Sequence, residues 1–388
     1  MQTLPFIDLA AQQKTIRTEI DKAIAKVLNH GCYILGPEVA ELEQQLQDFC
    51  GVKHAITCAS GTDALCLILR AKNIGPGDVV FVPSFTFAAT AEAVVLLGAT
   101  PYFVDVLPDT FNIDPKSLLD AIKHCAALNL KARCVIPVDL FGLPADYEQI
   151  NKIAAENNLW VLADSAQSFG ANYKDKKVGT LALATATSFF PAKPLGCYGD
   201  GGCIFTDDSE LAQIIKSLRV HGQGQDKYDN IRIGLNSRLD TLQAAILIEK
   251  LKVFPAELIH RQTVATKYTA LLPKLVLTQM IELDYTSAWA QFTLVLPEQI
   301  ARKDFMARLA AEGIPTMIYY PKPLHLQVAY KKYVMHGQSL PVTENLMERV
   351  VSLPMHGYLE LGTAEKIGES ILKVIAELHQ ENLELAQA

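Results

Sequence analysis

The chain predicts an α/β fold over its first two-thirds and a smaller α+β domain after it. Three observations carry that expectation. Short apolar runs of strand length alternate with helix-patterned segments through the first two-thirds, which is the pattern of βα units. Later strand-like runs are shorter and mixed with helices. Finally, 388 residues exceed one ordinary core, so a large domain (1–253) and a small one (254–388) are expected.

Taken in order, helical patterns cover 14–29 and 37–50. The second opens with Gly36-Pro37-Glu38, where proline's fixed φ suits a helix start. Strand-like runs follow at 54–58, 79–83, 101–105, 134–138 and 160–163. A helical stretch at 239–253 precedes Phe254-Pro255, which reads as a hinge. Beyond it come a helix at 257–272, a strand at 290–296 and a helix at 302–312. A closing helix spans 363–380, and the polar tail 381–388 is expected to fray.

The bulk numbers exclude several classes. A formal net charge of -7 argues against general nucleic-acid binding, which needs a basic face. No apolar run is long enough to cross a bilayer. The start Met-Gln-Thr-Leu-Pro-Phe-Ile-Asp lacks the basic and apolar parts of a signal peptide, so a cytoplasmic location is expected. Eight cysteines lie within the first 203 residues without a CxxC pair, mostly in apolar surroundings. They read as buried free thiols in a reducing compartment rather than disulfides or metal ligands.

In open α/β sheets ligands gather at the carboxyl ends of strands, and the chemistry-bearing residues here fall at such places. Lys193 lies in Ser188-Phe-Phe-Pro-Ala-Lys-Pro-Leu-Gly, among apolar and small residues. A desolvated lysine becomes a usable amine nucleophile, the alternative being a surface loop lysine. Ser60-Gly61-Thr62 follows a strand and opens an apolar helix, so it is either a phosphate cradle or a simple N-cap. No GxxxxGK or GxGxxG motif is present. Asp164 just past an apolar strand needs a cationic or N–H partner, such as a protonated pyridine nitrogen, unless it caps the following turn. Phe87 could stack on a flat ring or belong to the core. In Asn236-Ser-Arg238, the guanidinium suits a carboxylate or phosphate, or a salt bridge with Asp240. Together these residues make a complete set for pyridoxal 5'-phosphate.

With those residues assembled, the chain resembles the DegT/DnrJ/StrS family of pyridoxal phosphate-dependent nucleotide-sugar aminotransferases. The likeness runs nearly end to end and is most specific in Ser60-Gly-Thr-Asp-Ala-Leu65, Asp164-Ser-Ala-Gln-Ser-Phe-Gly170, 188–202 and Asn236-Ser-Arg-Leu-Asp-Thr-Leu-Gln243. The resemblance implies the aspartate aminotransferase fold type I, a large domain with a mostly parallel central sheet flanked by helices plus a smaller α+β C-terminal domain. It makes Lys193 the internal-aldimine lysine and Asp164 the partner of the pyridine nitrogen. It sets Gln167 against the ring near its phenolic oxygen, Phe87 on the other face, and Gly61, Thr62 and Ser188, beside Ser60, around the phosphate. Asn236 would reach the phosphate of the neighbouring subunit's cofactor, implying a homodimer with shared sites.

Within the family, the chain is most similar to enzymes that aminate C3 of UDP-2-acetamido-2-deoxy-3-oxo-glucuronate. Asn236-Ser-Arg238, Trp289-Ala-Gln-Phe-Thr293 and Tyr320-Pro-Lys-Pro-Leu324 carry this closer likeness. It implies substrate contacts by Arg238, Tyr319 and Tyr320, with L-glutamate as amino donor and a surface polysaccharide as destination. Those enzymes tend to have His where this chain has Tyr319; a hydroxyl replaces some imidazole hydrogen bonds but not its charge. The rival readings are amination at C4 of a 4-keto-6-deoxy sugar nucleotide, a sugar dehydratase and a non-catalytic regulator. The dehydratases have His in the lysine position, so Lys193 speaks against them.

Overall fold

The computed structural model describes residues 4–226, 228–272, 276–335 and 338–387. Its centre is a seven-stranded sheet: β1 His54–Cys58, β2 Asp78–Pro83, β3 Thr100–Val104, β4 Lys131–Val135, β5 Trp160–Asp164, β6 Ala184–Ser188 and β7 Gly202–Thr206. The spatial order is β1-β7-β6-β5-β4-β2-β3. Neighbours from β6 through β3 pair parallel, whereas β7 is antiparallel to both β1 and β6.

The apolar runs form strands because both faces of the sheet are covered, as parallel sheets require. Successive β2 residues divide between two cores. Val79 and Phe81 join one with Val161 and Ala163, while Val80 and Val82 join the other with Leu162 and the helix Gly61–Ala71. That helix is buried almost all round from Ala64 to Leu69, which explains its unbroken apolar sequence. β4 begins and ends three residues before the expected run, because its pairing starts at Lys131; Val138 still bridges Asp164.

The smaller sheet is antiparallel, with β8 Leu277–Thr278, β9 Phe292–Val295 and β10 Val350–Leu353 in that order. Tyr268, Leu294, Phe305, Leu309 and Ile371 share its core.

Three expectations need correction. The hinge at Phe254-Pro255 is absent: one 31-residue helix, Thr241–Leu271, runs straight through Pro255. Ala244, Leu247 and Phe254 pack in a core with Phe169 and Phe205, and Val264 and Tyr268 pack in the small-sheet core. Burial on both sides of the proline outweighs the lost backbone bond. The tail expected to fray instead continues the closing helix, Leu361–Gln387, with Arg308 bonded to Glu377 and Glu381; Ala388 lies outside the described residues. The first helical pattern is two helices, Leu9–Thr15 and Arg17–His30, divided at Ile16.

All eight cysteines are free thiols, and all but Cys32 are buried. No helix among the described residues is long and apolar enough to cross a membrane.

Candidate active site

Residues at and after the carboxyl ends of β1, β2, β5 and β6 lie on one side of the sheet. After β1, Ser60 adopts extended backbone and caps the helix Gly61–Ala71, its hydroxyl accepting from Asp63 N at 3.1 Å. The capping alternative thus holds for the Ser60 side chain. The amides of Gly61 and Thr62 precede the first intrahelical bond, Ala64 N to Ser60 O, at the positive end of the helix. Gly61 abuts Ser188 at the end of β6: a Cβ on residue 61 would stand 2.7 Å from Ser188 Cβ. A helix N-terminus whose bare first glycine packs against a serine offers free amides and a hydroxyl of the kind that suit a phosphate.

Asp164 ends β5 and is 5% exposed. Its Oδ2 accepts from Thr90 Oγ1 at 2.8 Å and its Oδ1 from Ala166 N at 3.3 Å. Burial pushes its carboxyl above the ordinary range, against the pull of those two bonds and of Lys193. Lys193 is half-buried, and desolvation draws its ammonium below the usual lysine range while Asp164 pulls it partly back. An amine held toward its neutral form beside a buried carboxylate is the pair that Schiff-base chemistry on a pyridine aldehyde needs.

Gln167 is fixed at both ends of its amide. Its Oε1 accepts from Phe141 N at 2.7 Å and its Nε2 donates to the Tyr320 hydroxyl at 3.1 Å. Burial raises the Tyr320 phenol far above its ordinary range, so it remains a neutral hydroxyl. The Tyr320 ring meets Phe85 edge-on at 6.3 Å and lies 6.4 Å from Phe87. Phe87 is not core: it is 56% exposed, at the mouth formed after β2. Tyr319 is partly buried between Phe6 and Tyr320.

The structure places Ser60, Gly61, Thr62, Ser188, Asp164, Lys193, Gln167, Phe87 and Tyr320 on the side of the sheet where β1, β2, β5 and β6 have their carboxyl ends. Asn236 is exposed on a segment that bridges Val220, and Ser237 beside it is buried, accepting from Ala59 N at 3.3 Å. Arg238 is partly buried, and its Nε is shielded from solvent without a partner among the described residues. It forms no salt bridge with Asp240 there.

Sequence reasoning missed Thr90 and Asp139. Asp139 is fully buried and accepts from Ser165 and Ser168 hydroxyls at 2.6 Å each, Tyr147 OH at 2.8 Å and Ala145 N at 3.0 Å. It thereby holds both flanks of Gln167. The one signal for it was a carboxylate within the apolar run Val-Asp-Leu-Phe.

The family model for DegT/DnrJ/EryC1/StrS aminotransferases matches residues 14–372. The chain belongs to this family. It is 48% identical over 365 residues to the UDP-2-acetamido-2-deoxy-3-oxo-D-glucuronate aminotransferase of Pseudomonas aeruginosa, covering 94% of this chain and 98% of that one. Among solved structures, a DegT/DnrJ/EryC1/StrS aminotransferase from Brucella abortus superposes with a TM-score of 0.93 at 49% identity, over 95% and 99% of the two chains. A Bacillus subtilis protein solved with bound pyridoxamine phosphate gives a TM-score of 0.88 at 30% identity, over 97% and 86%. The fold is that of the fold type I, pyridoxal phosphate-dependent aminotransferases, as the aminotransferase family implies.

Proposed function

We propose that this aminotransferase moves an amino group from L-glutamate to the 3-keto group of UDP-2-acetamido-2-deoxy-3-oxo-glucuronate, for surface polysaccharide synthesis. The observation that carries the catalytic reading is that Lys193, in the loop after β6, and the buried Asp164 at the end of β5 feel each other's charge, with the Gly61–Ser188 contact at the end of β6. The Pseudomonas relative supports the choice of sugar.

Pyridoxal phosphate, when bound, supplies an aldehyde that takes up amines and a ring that accepts the electrons of a deprotonated carbon. The residues present fit it. The amides of Gly61 and Thr62 with the Ser188 hydroxyl would hold the phosphate dianion. Asp164, whose burial makes a cationic N–H partner favourable, would keep the ring nitrogen protonated. Gln167, held by Phe141 and Tyr320, would lie against the ring, and the exposed Phe87 would cover the opposite face. Lys193 Nζ would tether the cofactor, then take the proton from Cα of the amino donor and return it to the accepting carbon. In the second half the same amine works in reverse on the sugar.

We place the enzyme in the cytoplasm as a homodimer with shared sites. Exposed Tyr33, Ile34, Leu35, Ile231 and Ile233 flank the Asn236 segment, an apolar surface that a second copy would cover. Asn236 and Arg238 would then reach the neighbouring site, Arg238 meeting the sugar carboxylate.

The test is direct. Purified enzyme is incubated with L-glutamate and a panel of UDP- and dTDP-linked 3-keto and 4-keto sugars, and the aminated products are identified. Turnover of the 3-keto uronate well above the others is expected; preference for a 4-keto-6-deoxy sugar would overturn the assignment. Lys193→Ala should retain bound cofactor and lose turnover.

A further inference from the structure

Lysine is among the residues a core accepts least, because its ammonium must shed water on entry. Lys250 is nonetheless 1% exposed, in the long helix Thr241–Leu271 between the buried Leu247 and Phe254. No salt bridge neutralises it among the described residues. Its Nζ instead donates to the carbonyl oxygen of Gly196 and lies 5.0 Å from the centroid of the Tyr198 ring. Burial lowers its pKa to about 8, although Glu257 and Cys197 pull it upward. An apolar side chain would fill this place at less cost, so stability alone does not account for the lysine.

Gly196 lies three positions after Lys193, in a loop that closes on itself. Cys197 N donates to Phe189 O at 2.8 Å, and Lys193 N donates to Phe190 O at 2.9 Å. Residue 196 has no room for a side chain, since a Cβ there would stand 2.5 Å from Pro191 O. The loop is therefore compact, and a displacement at Gly196 is passed to Lys193. Two side chains of the long helix tack it down: Lys250 at Gly196 O, and Gln243, whose Oε1 accepts from Tyr198 N at 2.8 Å. They are seven residues apart and so share one helix face.

We propose that Lys250 is a positioning residue for Lys193, its ammonium pinning the Gly196 carbonyl so that the loop presents the Lys193 amine to the cofactor's carbonyl carbon. This inference rests on the assignment of Lys193 as the tethering lysine. Small displacements of a reacting group are costly in rate even where binding is intact. Lys250 should therefore affect covalent capture of the cofactor more than its non-covalent binding.

The experiment uses cofactor-stripped enzyme and the variants Lys250→Met and Lys250→Gln. Covalent capture of pyridoxal phosphate is followed by trapping with borohydride and locating the label by peptide mass. Pyridoxamine phosphate, which has no aldehyde to bond with a lysine, reports the non-covalent contacts through its Kd. Lys250→Met is expected to slow labelling of Lys193 by roughly tenfold or more, with the Kd for pyridoxamine phosphate changed less than about twofold. Lys250→Gln, which keeps an N–H donor, should recover part of the rate and remains informative if the Met variant does not fold. Unchanged capture in both variants overturns the proposal, as does a parallel loss of capture and pyridoxamine phosphate binding. Label on a different lysine in the unmodified enzyme overturns the Lys193 assignment itself, whereas label on Lys193 with unchanged rates removes only the role of Lys250.

Discussion

Thr90 Oγ1 donates a 2.8 Å hydrogen bond to Oδ2 of Asp164, and both residues are buried. Thr90 belongs to the first turn of the helix Ala89–Leu96, so the end of β2 helps set the charge at the end of β5. The bond holds the Asp164 carboxyl down against the desolvation that raises it. Thr90→Val keeps the shape and removes the donor, which should raise the Asp164 pKa further and weaken the anion proposed to pair with the ring nitrogen. A bond to a charged group contributes about 1.5–3 kcal/mol, so the glutamate half-reaction should slow by roughly 10- to 100-fold. Thr90→Ser should stay near the unmodified rate. Stopped-flow measurement of that half-reaction checks this; a Val variant within about twofold of the unmodified enzyme would refute the role of Thr90.

Asp139 makes stability depend on pH with a definite sign. Burial raises its carboxyl to about 6 despite four donated hydrogen bonds. In the unfolded chain it titrates near the ordinary ~3.9. Between those values the folded state holds more proton than the unfolded one, so this group's contribution to stability falls as pH rises from about 4 to about 6. Urea unfolding of the cofactor-free protein across that range should show the decline, and Asp139→Asn should flatten it. Asp139→Ala leaves the two serine hydroxyls, the Tyr147 hydroxyl and Ala145 N without their shared acceptor, for a cost of about 3 kcal/mol. An Asn variant with the same pH slope would show that another group is responsible.

The candidate site was legible where its residues sit at or just after strand ends. Asp164 after an apolar run, Ser60-Gly-Thr before an apolar helix and Lys193 among small residues each carry a local signature. Thr90 carries none, because its partner is 74 positions away and threonine near a helix start is common. Pro255 misled for the converse reason. Its local rule is sound, but the faces of the long helix are buried on both sides of it, which no local pattern reports. Lys250 was hidden in the same way: Ile-Glu-Lys-Leu-Lys reads as an ordinary helix surface until the fold turns one lysine inward.

Shared sites can be tested by mixing two inactive variants. Asn236 is exposed, on the segment that bridges Val220 beside the exposed Ile231 and Ile233, where a second copy could meet it. In a hybrid dimer of Lys193→Ala and Asn236→Ala chains, one site would combine an intact lysine with an intact asparagine, and the other would carry both lesions. After dissociation and random reassociation, roughly a quarter of all sites should be unmodified. Activity should return toward that fraction, read by a coupled assay for 2-oxoglutarate. Absence of any recovery, with hybrid dimers demonstrated by mass, would place Asn236 outside the neighbour's site.

Arg238 offers the sharpest test of the sugar. Its Nε is shielded from water and has no partner among the described residues, an expensive state for a guanidinium unless something anionic completes it. A uronate carboxylate would do so, with a charge-assisted bond of about 1.5–3 kcal/mol. Arg238→Ala should then lower kcat/KM for the 3-keto uronate by roughly 10- to 100-fold. For the matching sugar with a neutral hydroxymethyl in place of the carboxylate, the loss should be within about threefold, because no charge pair is broken. Arg238→Lys keeps the charge but loses the planar fork, and should fall between the two. Equal losses on both sugars would mean that Arg238 serves the cofactor phosphate or the subunit interface instead, and the case for a uronate would lose its structural support.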